Sequence, residues 1–281
     1  MITDSQTNKL FLAGCLPTKY PGFFKEFERV LYKCKINFEL LRGTKDVWAV
    51  DYMPIQIDLN KFVRFVYNPE YLQSKEYLKT ISNVDDICEK TGIETIKSNI
   101  VLDGGNVMRS NNKVIMTERI FKENPLRTKR SIIKELQELF EIDTLIFIPE
   151  QPYDYTGHAD GMVRFLNDTT LIINDYGQDE SKKFSRVFKA ALDKTGLACI
   201  TIPYTYTYNK DNKDQVRGYY INYLQMKDIV FVPKFGIKED DIAVKVLERI
   251  FEGQKIVQVD AIEIAKDGGV LNCITWNIMT E

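Results

Sequence analysis

Short β-rich runs alternate with amphipathic helical segments through the second half of the chain, and this alternation points to an α/β fold. The runs TLIFIP, TTLIIND, ACITIP, DIVFVP, KIVQVD and VLNCITWNI carry the β-branched and aromatic residues that suit strands. Between them, RSIIKELQELF places Ile132, Ile133, Leu136 and Leu139 on one helical face, with Asn124 as its cap and Pro125 in the first helical position. SKKFSRVFKAALDKTG sets Phe184, Val187, Phe188, Ala191 and Leu192 at helical spacing and stops at Gly196. KEDDIAVKVLERIFEG has an acidic first turn, an apolar stripe of Ile242, Val246 and Ile250, and a stop at Gly253. In the first half, VWAVDYMPIQID and FVRFVY read as strands and YLKTISNVDDICEKTGI as a helix. No linker, low-complexity tract or charge block divides the chain, so the expectation is one domain over residues 1–281. No internal repeat is visible by eye.

Charge narrows the range of partners. The 38 basic residues nearly balance the 40 acidic ones, for a formal net charge of -2. A nucleic-acid or acidic-membrane surface calls for a basic excess, so a small or peptide-sized ligand is expected instead. The five cysteines (Cys15, Cys34, Cys88, Cys199 and Cys273) form no CxxC pair. Their odd number and wide spacing argue against a zinc ribbon and against a disulfide framework, and favour a reducing, cytoplasmic setting. The start, MITDSQTNKLFLAGCLPTKYPG, is a poor signal peptide and no membrane span.

Four clusters hold polar groups where a fold has little need of them. YDYTGHADGMVRFL contains His158, the only histidine, so imidazole acid–base chemistry has one place to occur. If that stretch is extended, Asp160 lies on the same side as His158. LDGGNV offers Asp103 beside Gly104 and Gly105, which let backbone approach a ligand closely. WAVDYMP puts Asp51 in an apolar, aromatic stretch, a costly position unless it meets a cation, with Trp48 and Tyr52 as stacking faces. KDGGVLNCIT presents Cys273 just after a glycine turn at Gly268 and Gly269. Each has an ordinary alternative: a loop histidine, an Asp-Gly hairpin, an exposed edge-strand aspartate, a small core cysteine. The combination is more telling. A planar delocalised cation needs carboxylates to hold its nitrogens, a soft nucleophile to attack its central carbon, and a held histidine to protonate departing ammonia.

The ordered series WAVDYMP, LDGGN, GHADGMVRF, RGYYINYL and GGVLNCIT resembles the agmatine deiminase and bacterial-type peptidylarginine deiminase family of guanidino-group-modifying enzymes. The resemblance runs from about Trp48 to Thr275. It implies a pentein fold, an α/β propeller of five ββαβ-like units around a pseudo-fivefold axis, with the site at the central channel. It implies Cys273 as nucleophile, His158 as general acid and base, Asp103 as the acid that holds the histidine, and Asp51 and Asp160 as guanidinium ligands. Trp48, Gly104 and Gly269 join them as candidate substrate contacts. No metal and no organic cofactor is implied, and a homo-oligomer is compatible with it.

Some positions depart from the family pattern. Val50 stands where arginine is usual, Asp103 where glutamate is usual, and Asn272 where agmatine deiminases usually have histidine; Trp276 and Asn277 replace a glutamine-rich continuation. These changes bear on the substrate. The readings open at this point are a deiminase of a small guanidino compound, a peptidylarginine deiminase, an amidinotransferase, and a non-catalytic guanidine-binding protein. The tyrosine-rich stretch YTYTYNKDNKDQVRGYY is the candidate wall for the substrate's tail.

Overall fold

The structure is a computed structural model that describes residues 1–177, 182–205 and 215–281. Its strands fall into three-stranded sheets that repeat one connection: a hairpin pair, a crossover helix, and a third strand parallel to the middle one. At the start, β1 (Lys9–Ala13) lies parallel to β2 (Phe38–Leu41) across the helix Pro21–Lys33. β3 (Ile55–Asp58), β4 (Lys61–Val66) and β5 (Ile96–Val101) form the next sheet, crossing over through Val84–Thr91. β6 (Met108–Arg109), β7 (Lys113–Thr117) and β8 (Thr144–Ile148) use the helix Lys129–Phe140. β9 (Val163–Asn167), β10 (Thr170–Asp175) and β11 (Ala198–Pro203) use Lys182–Asp193. β12 (Leu224–Met226), β13 (Ile229–Lys234) and β14 (Lys255–Asp260) use Glu239–Ile250. The last strand, β15 (Thr275–Ile278), then pairs antiparallel with β1 and completes the first sheet. Among the described residues there are five such ββαβ units, and both ends of the chain meet in one of them.

Each sheet buries apolar residues against its own helix and its neighbours. Phe27 and Phe231 pack edge to face between two units, and Ile132, Leu136 and Phe140 seal another. The apolar stripes agree with the expected ones in part. Ile242 and Val187 are exposed, while Ala243 and Leu247, and Phe184, Phe188 and Leu192, face the core. Ser181, at the start of the second expected helix, lies outside the described residues.

Three local expectations are corrected. Asn124 does not cap the helix Lys129–Phe140. Its amide donates to the carbonyls of Val101 and Ile120 and accepts from the Val101 amide, so it is committed to β5. Thr128 caps the helix, accepting from Ser131 N. The run VWAVDYMPIQID is a strand only over Ile55–Asp58, because Ala49–Tyr52 is one helical turn. Pro54 forces Met53 into an extended conformation (ψ 152°) and ends that turn. Likewise only Thr275–Ile278 of VLNCITWNI is strand, and residues 271–274 form a turn.

Both corrected stretches show how the site is built. Every unit is entered through a tight turn just before its first strand: Ala49–Tyr52, Gly104–Asn106, Ala159–Gly161, residues 217–222 and residues 271–274. The candidate polar residues sit in or beside these turns. No helix among the described residues is long and apolar enough to cross a membrane.

Candidate active site

The entry turns are tied to one another by hydrogen bonds. Val50 N donates to Cys273 O at 3.3 Å, linking the turn before β3 to the turn before β15. Asn222, in the turn before β12, accepts through Oδ1 from the amides of Asn272 (3.1 Å) and Cys273 (3.4 Å). Its Nδ2 donates to Asp160 Oδ2 at 2.9 Å and lies 3.3 Å from Cys273 Sγ. Asn272 Nδ2 also donates to Asp160 Oδ2, at 2.8 Å, and the Cys273 thiol is 3.6 Å from that same oxygen. Three turns thus converge on one sulfur and one carboxylate, and a fourth is tied to the Cys273 backbone.

His158 occupies the other side. Its Nε2 is 3.0 Å from Asp103 Oδ2 and its Nδ1 is 3.4 Å from Asp51 Oδ1. Gly105 N donates to that Asp51 oxygen at 3.0 Å. The reach from His158 to Asp160 along an extended chain is corrected: His158 precedes a helical turn, so the two side chains turn to different partners. Asp103 likewise opens a helical turn at Gly104–Asn106, and the Asp-Gly step makes no hairpin.

Trp48, Asp51, Tyr71, His158, Asp160, Asn222, Gly269 and Cys273 line one cavity. Of the candidate ligand contacts, Gly269 lies against the Trp48 ring, where a Cβ would come within 2.3 Å of it. Gly104 is placed elsewhere: its Cα approaches the Val50 carbonyl so closely that a Cβ would sit 2.0 Å from the oxygen. A Cβ on the neighbouring Gly105 would instead lie 2.6 Å from Asp51 Oδ1 and 2.7 Å from His158 Nδ1. Tyr52 is a core residue, donating to Asp46 O and packing edge to face on Tyr67, and offers no face for stacking. The cavity mouth includes Tyr153, Asp154, Tyr155, Gln215 and Val216. Residues 206–214 of the expected tail wall lie outside the described residues.

Asp51, Asp103, His158 and Asp160 are almost wholly buried, and Cys273 is 9% exposed. Burial works against an imidazolium, yet Asp51, Asp103 and Asp160 outweigh it and push His158 up to about 10. Burial raises Asp51 well above the carboxylate range; His158 opposes the shift, and Asp103 and Asp160 add to it. Asp160 is raised by burial, against the pull of His158 and the Asn272 hydrogen bond. Burial, then Asp160 and Asp51, lift the Cys273 thiol well above its usual range. Three buried carboxylates thus face one imidazole, an excess of acidic groups that either protons or a bound cation offsets. Among the described residues, no group of three or more His, Cys, Asp or Glu side chains is arranged to hold a metal ion.

The model of the Porphyromonas-type peptidyl-arginine deiminase family matches residues 25–278. The chain belongs to that family. Curated relatives provisionally named agmatine deiminase include one from Mycoplasma mycoides subsp. mycoides, 26% identical over 219 residues, and one from Streptococcus mutans, 25% identical over 221. Each match covers 67% of this chain and 60% of the relative, so the chain aligns with less than two thirds of their length. Among solved structures, the C. jejuni agmatine deiminase superposes with a TM-score of 0.82 at 19% identity, covering 99% of this chain and 95% of that one. DDAH from Pseudomonas aeruginosa gives 0.60 at 14% identity, covering 97% and 100%. The pentein propeller implied by the motif order is thereby borne out as the fold.

Several residues at this site escape a reading of the sequence. Asn222 lies within RGYYINYL, but nothing in its pattern says that its amide bridges sulfur and carboxylate. Asn272 registers only as a departure from the family, and Tyr71 lies outside all of the motifs.

Proposed function

We propose that this chain is a cysteine-dependent deiminase that converts a guanidino compound to its ureido product and ammonia. The observation that carries this reading is the cavity shared by Cys273, His158, Asp51 and Asp160. Asp51 and Asp160 approach a flat cation from different entry turns, which suits paired hydrogen bonds to guanidinium nitrogens. The incoming cation also offsets the two carboxylates that raise the Cys273 thiol, so substrate binding favours the thiolate.

The thiolate then attacks the guanidinium carbon, forming an S–C bond and a tetrahedral adduct. The His158 imidazolium gives its proton to one amino nitrogen, the C–N bond breaks, and ammonia leaves a thiouronium on Cys273. Neutral His158 takes a proton from water, whose oxygen adds to the same carbon. The C–S bond breaks, the hydroxyl proton of the adduct passes to solvent, and the ureido product leaves with Cys273 again a thiolate and His158 again protonated. Asp103 holds the imidazole through Nε2 throughout. No metal and no organic cofactor enters these steps.

The site draws on turns from successive units, and its first sheet needs strands from both chain ends, which supports one catalytic domain over residues 1–281. The substrate proposed is a small guanidino compound of the agmatine or arginine kind, acted on in the cytoplasm. Ammonia release from a panel of guanidines and arginyl peptides, with Cys273→Ala as control, tests the proposal. Turnover by wild type that Cys273→Ala abolishes is expected. No turnover of any member, or an unimpaired Cys273→Ala, overturns it. A peptide outperforming every free guanidine assigns the peptidyl substrate.

A further inference from the structure

The proton-transfer pair His158–Asp103 has a third member that no motif marks. Tyr71 stands in the short helical turn Glu70–Leu72, between β4 and its crossover helix. Its hydroxyl donates to Asp103 Oδ2 at 3.1 Å, the oxygen that faces His158 Nε2 at 3.0 Å. The other oxygen, Oδ1, is buried and has no hydrogen-bond partner among the described residues. Both contacts that fix Asp103 therefore fall on one atom.

We propose that Tyr71 is a positioning residue for proton transfer, locking Asp103 Oδ2 in the place from which it orients the His158 imidazole. With one tether a carboxylate can rotate and exchange its oxygens; with two donors converging on Oδ2 it is held in one orientation. The Tyr71 ring is itself fixed. It meets the His158 ring edge to face at 6.5 Å and the Tyr155 ring at 5.3 Å. On its face lies the Arg119 guanidinium, 5.7 Å from the centroid, which is held by Glu123 at 3.0 Å and Glu150 at 3.7 Å. The charged and titratable groups around the pair are thus Asp51 beside the imidazole, Asp160 and Cys273 across the cavity, Tyr67 and Tyr155 beside Tyr71, and Glu123 and Arg119 near Asp103 and Tyr71. Burial and the nearby Asp103 push Glu123 up to about 7 against the pull of Arg119, so its charge also changes near neutral pH.

The kinetic consequence rests on the deiminase reading, so the test joins kinetics to a signal that does not need turnover. His158 is the only histidine, and 15N-imidazole NMR therefore reports one ring. Tyr71→Phe, Asp103→Asn and the double variant form a cycle. Tyr71→Phe is expected to lower kcat about tenfold while KM changes by less than about twofold. In the Asp103→Asn background it adds less than about twofold, because its route to His158 is gone. The Nε2 proton of His158 exchanges faster in Tyr71→Phe than in wild type. Fluorotyrosine at position 71 keeps the ring and a stronger donor, and is expected to retain both kcat and the slow exchange. Equal, multiplicative losses in the two backgrounds, or an unchanged His158 spectrum in Tyr71→Phe, overturn the role. Absence of wild-type turnover sinks the deiminase reading alone, since the spectra still decide whether Tyr71 acts on His158.

Discussion

In the proposed reaction, ionisation of Asp51 and Asp160 controls capture of the cation, and ionisation of His158 controls departure of ammonia. Burial raises both aspartates, so each takes up a proton at a higher pH than a free carboxylate, and its hold on a guanidinium is lost as pH falls through that raised value. His158, held up to about 10, keeps its proton through neutrality and loses it only above that pH. A guanidinium itself stays charged to about pH 12. The expected profile is therefore a bell: KM rises on the acid side and kcat falls above about pH 10, as steady-state ammonia release across pH will show. A flat profile contradicts the assignment. Asn222 joins Cys273 to Asp160, so Asn222→Ala should cost about 1.5–3 kcal/mol in transition-state stabilisation, roughly ten- to hundredfold in kcat/KM, with little loss of thermal stability. The acid–base and nucleophilic side chains were legible as unusual polar residues in ordered motifs. The amides that orient them were not, because asparagine in a turn is ordinary and its partners come from distant units.

The working elements are the entry turns, and two adjacent glycines show how finely they are spaced. A Cβ at Gly104 would press on the Val50 carbonyl at 2.0 Å, backbone against backbone, so Gly104→Ala should lower Tm markedly. A Cβ at Gly105 would meet only side chains, Asp51 at 2.6 Å and His158 at 2.7 Å. Gly105→Ala should therefore displace the reacting groups and depress kcat/KM more than it lowers Tm. Thermal melts alongside kinetics separate the two cases, and the reverse order would contradict the turn geometry. Most strands and all three crossover helices of the second half were legible from period and composition, whereas the helix Pro21–Lys33 and β1, β2 and β5–β7 were not read, and YLKTISNVDDICEKTGI, expected as one helix, is α-helix only over Val84–Thr91. The turns around Asp51 and Cys273 were not legible: Ala49–Tyr52 and residues 271–274 run directly into strand-forming segments, and bonds between turns fix where each strand begins. The repeat stayed hidden because its copies share a connection and few residues.

At the scale of the molecule, units are joined by a part-buried ionic cluster in which Asp4 is 22% exposed and Arg164 is buried. Asp4 accepts from Arg164 at 2.5 Å and from Arg109 at 2.9 Å, and the Arg164 guanidinium lies over the Tyr223 ring. Burial alone would raise Asp4, but the two arginines outweigh it and hold its carboxyl below the usual range. Its folded pKa is thus depressed, so this contribution to stability is present at neutral pH and is lost as pH falls through the folded value. Asp4→Ala leaves Arg164 buried without its carboxylate and should cost about 3–5 kcal/mol, seen as a lower denaturation midpoint. An unchanged midpoint would contradict this joining role. The same convergence of units places one sulfur, out of five in the chain, in a cavity lined with carboxylates, and a cation-directed reagent tests that most directly. After treatment with 2-chloroacetamidine, peptide mass mapping should find a single adduct on Cys273, suppressed by competing guanidine and missing in Cys273→Ala. Labelling of exposed Cys199 in preference, or of Cys273 without protection by any guanidine, would contradict the account.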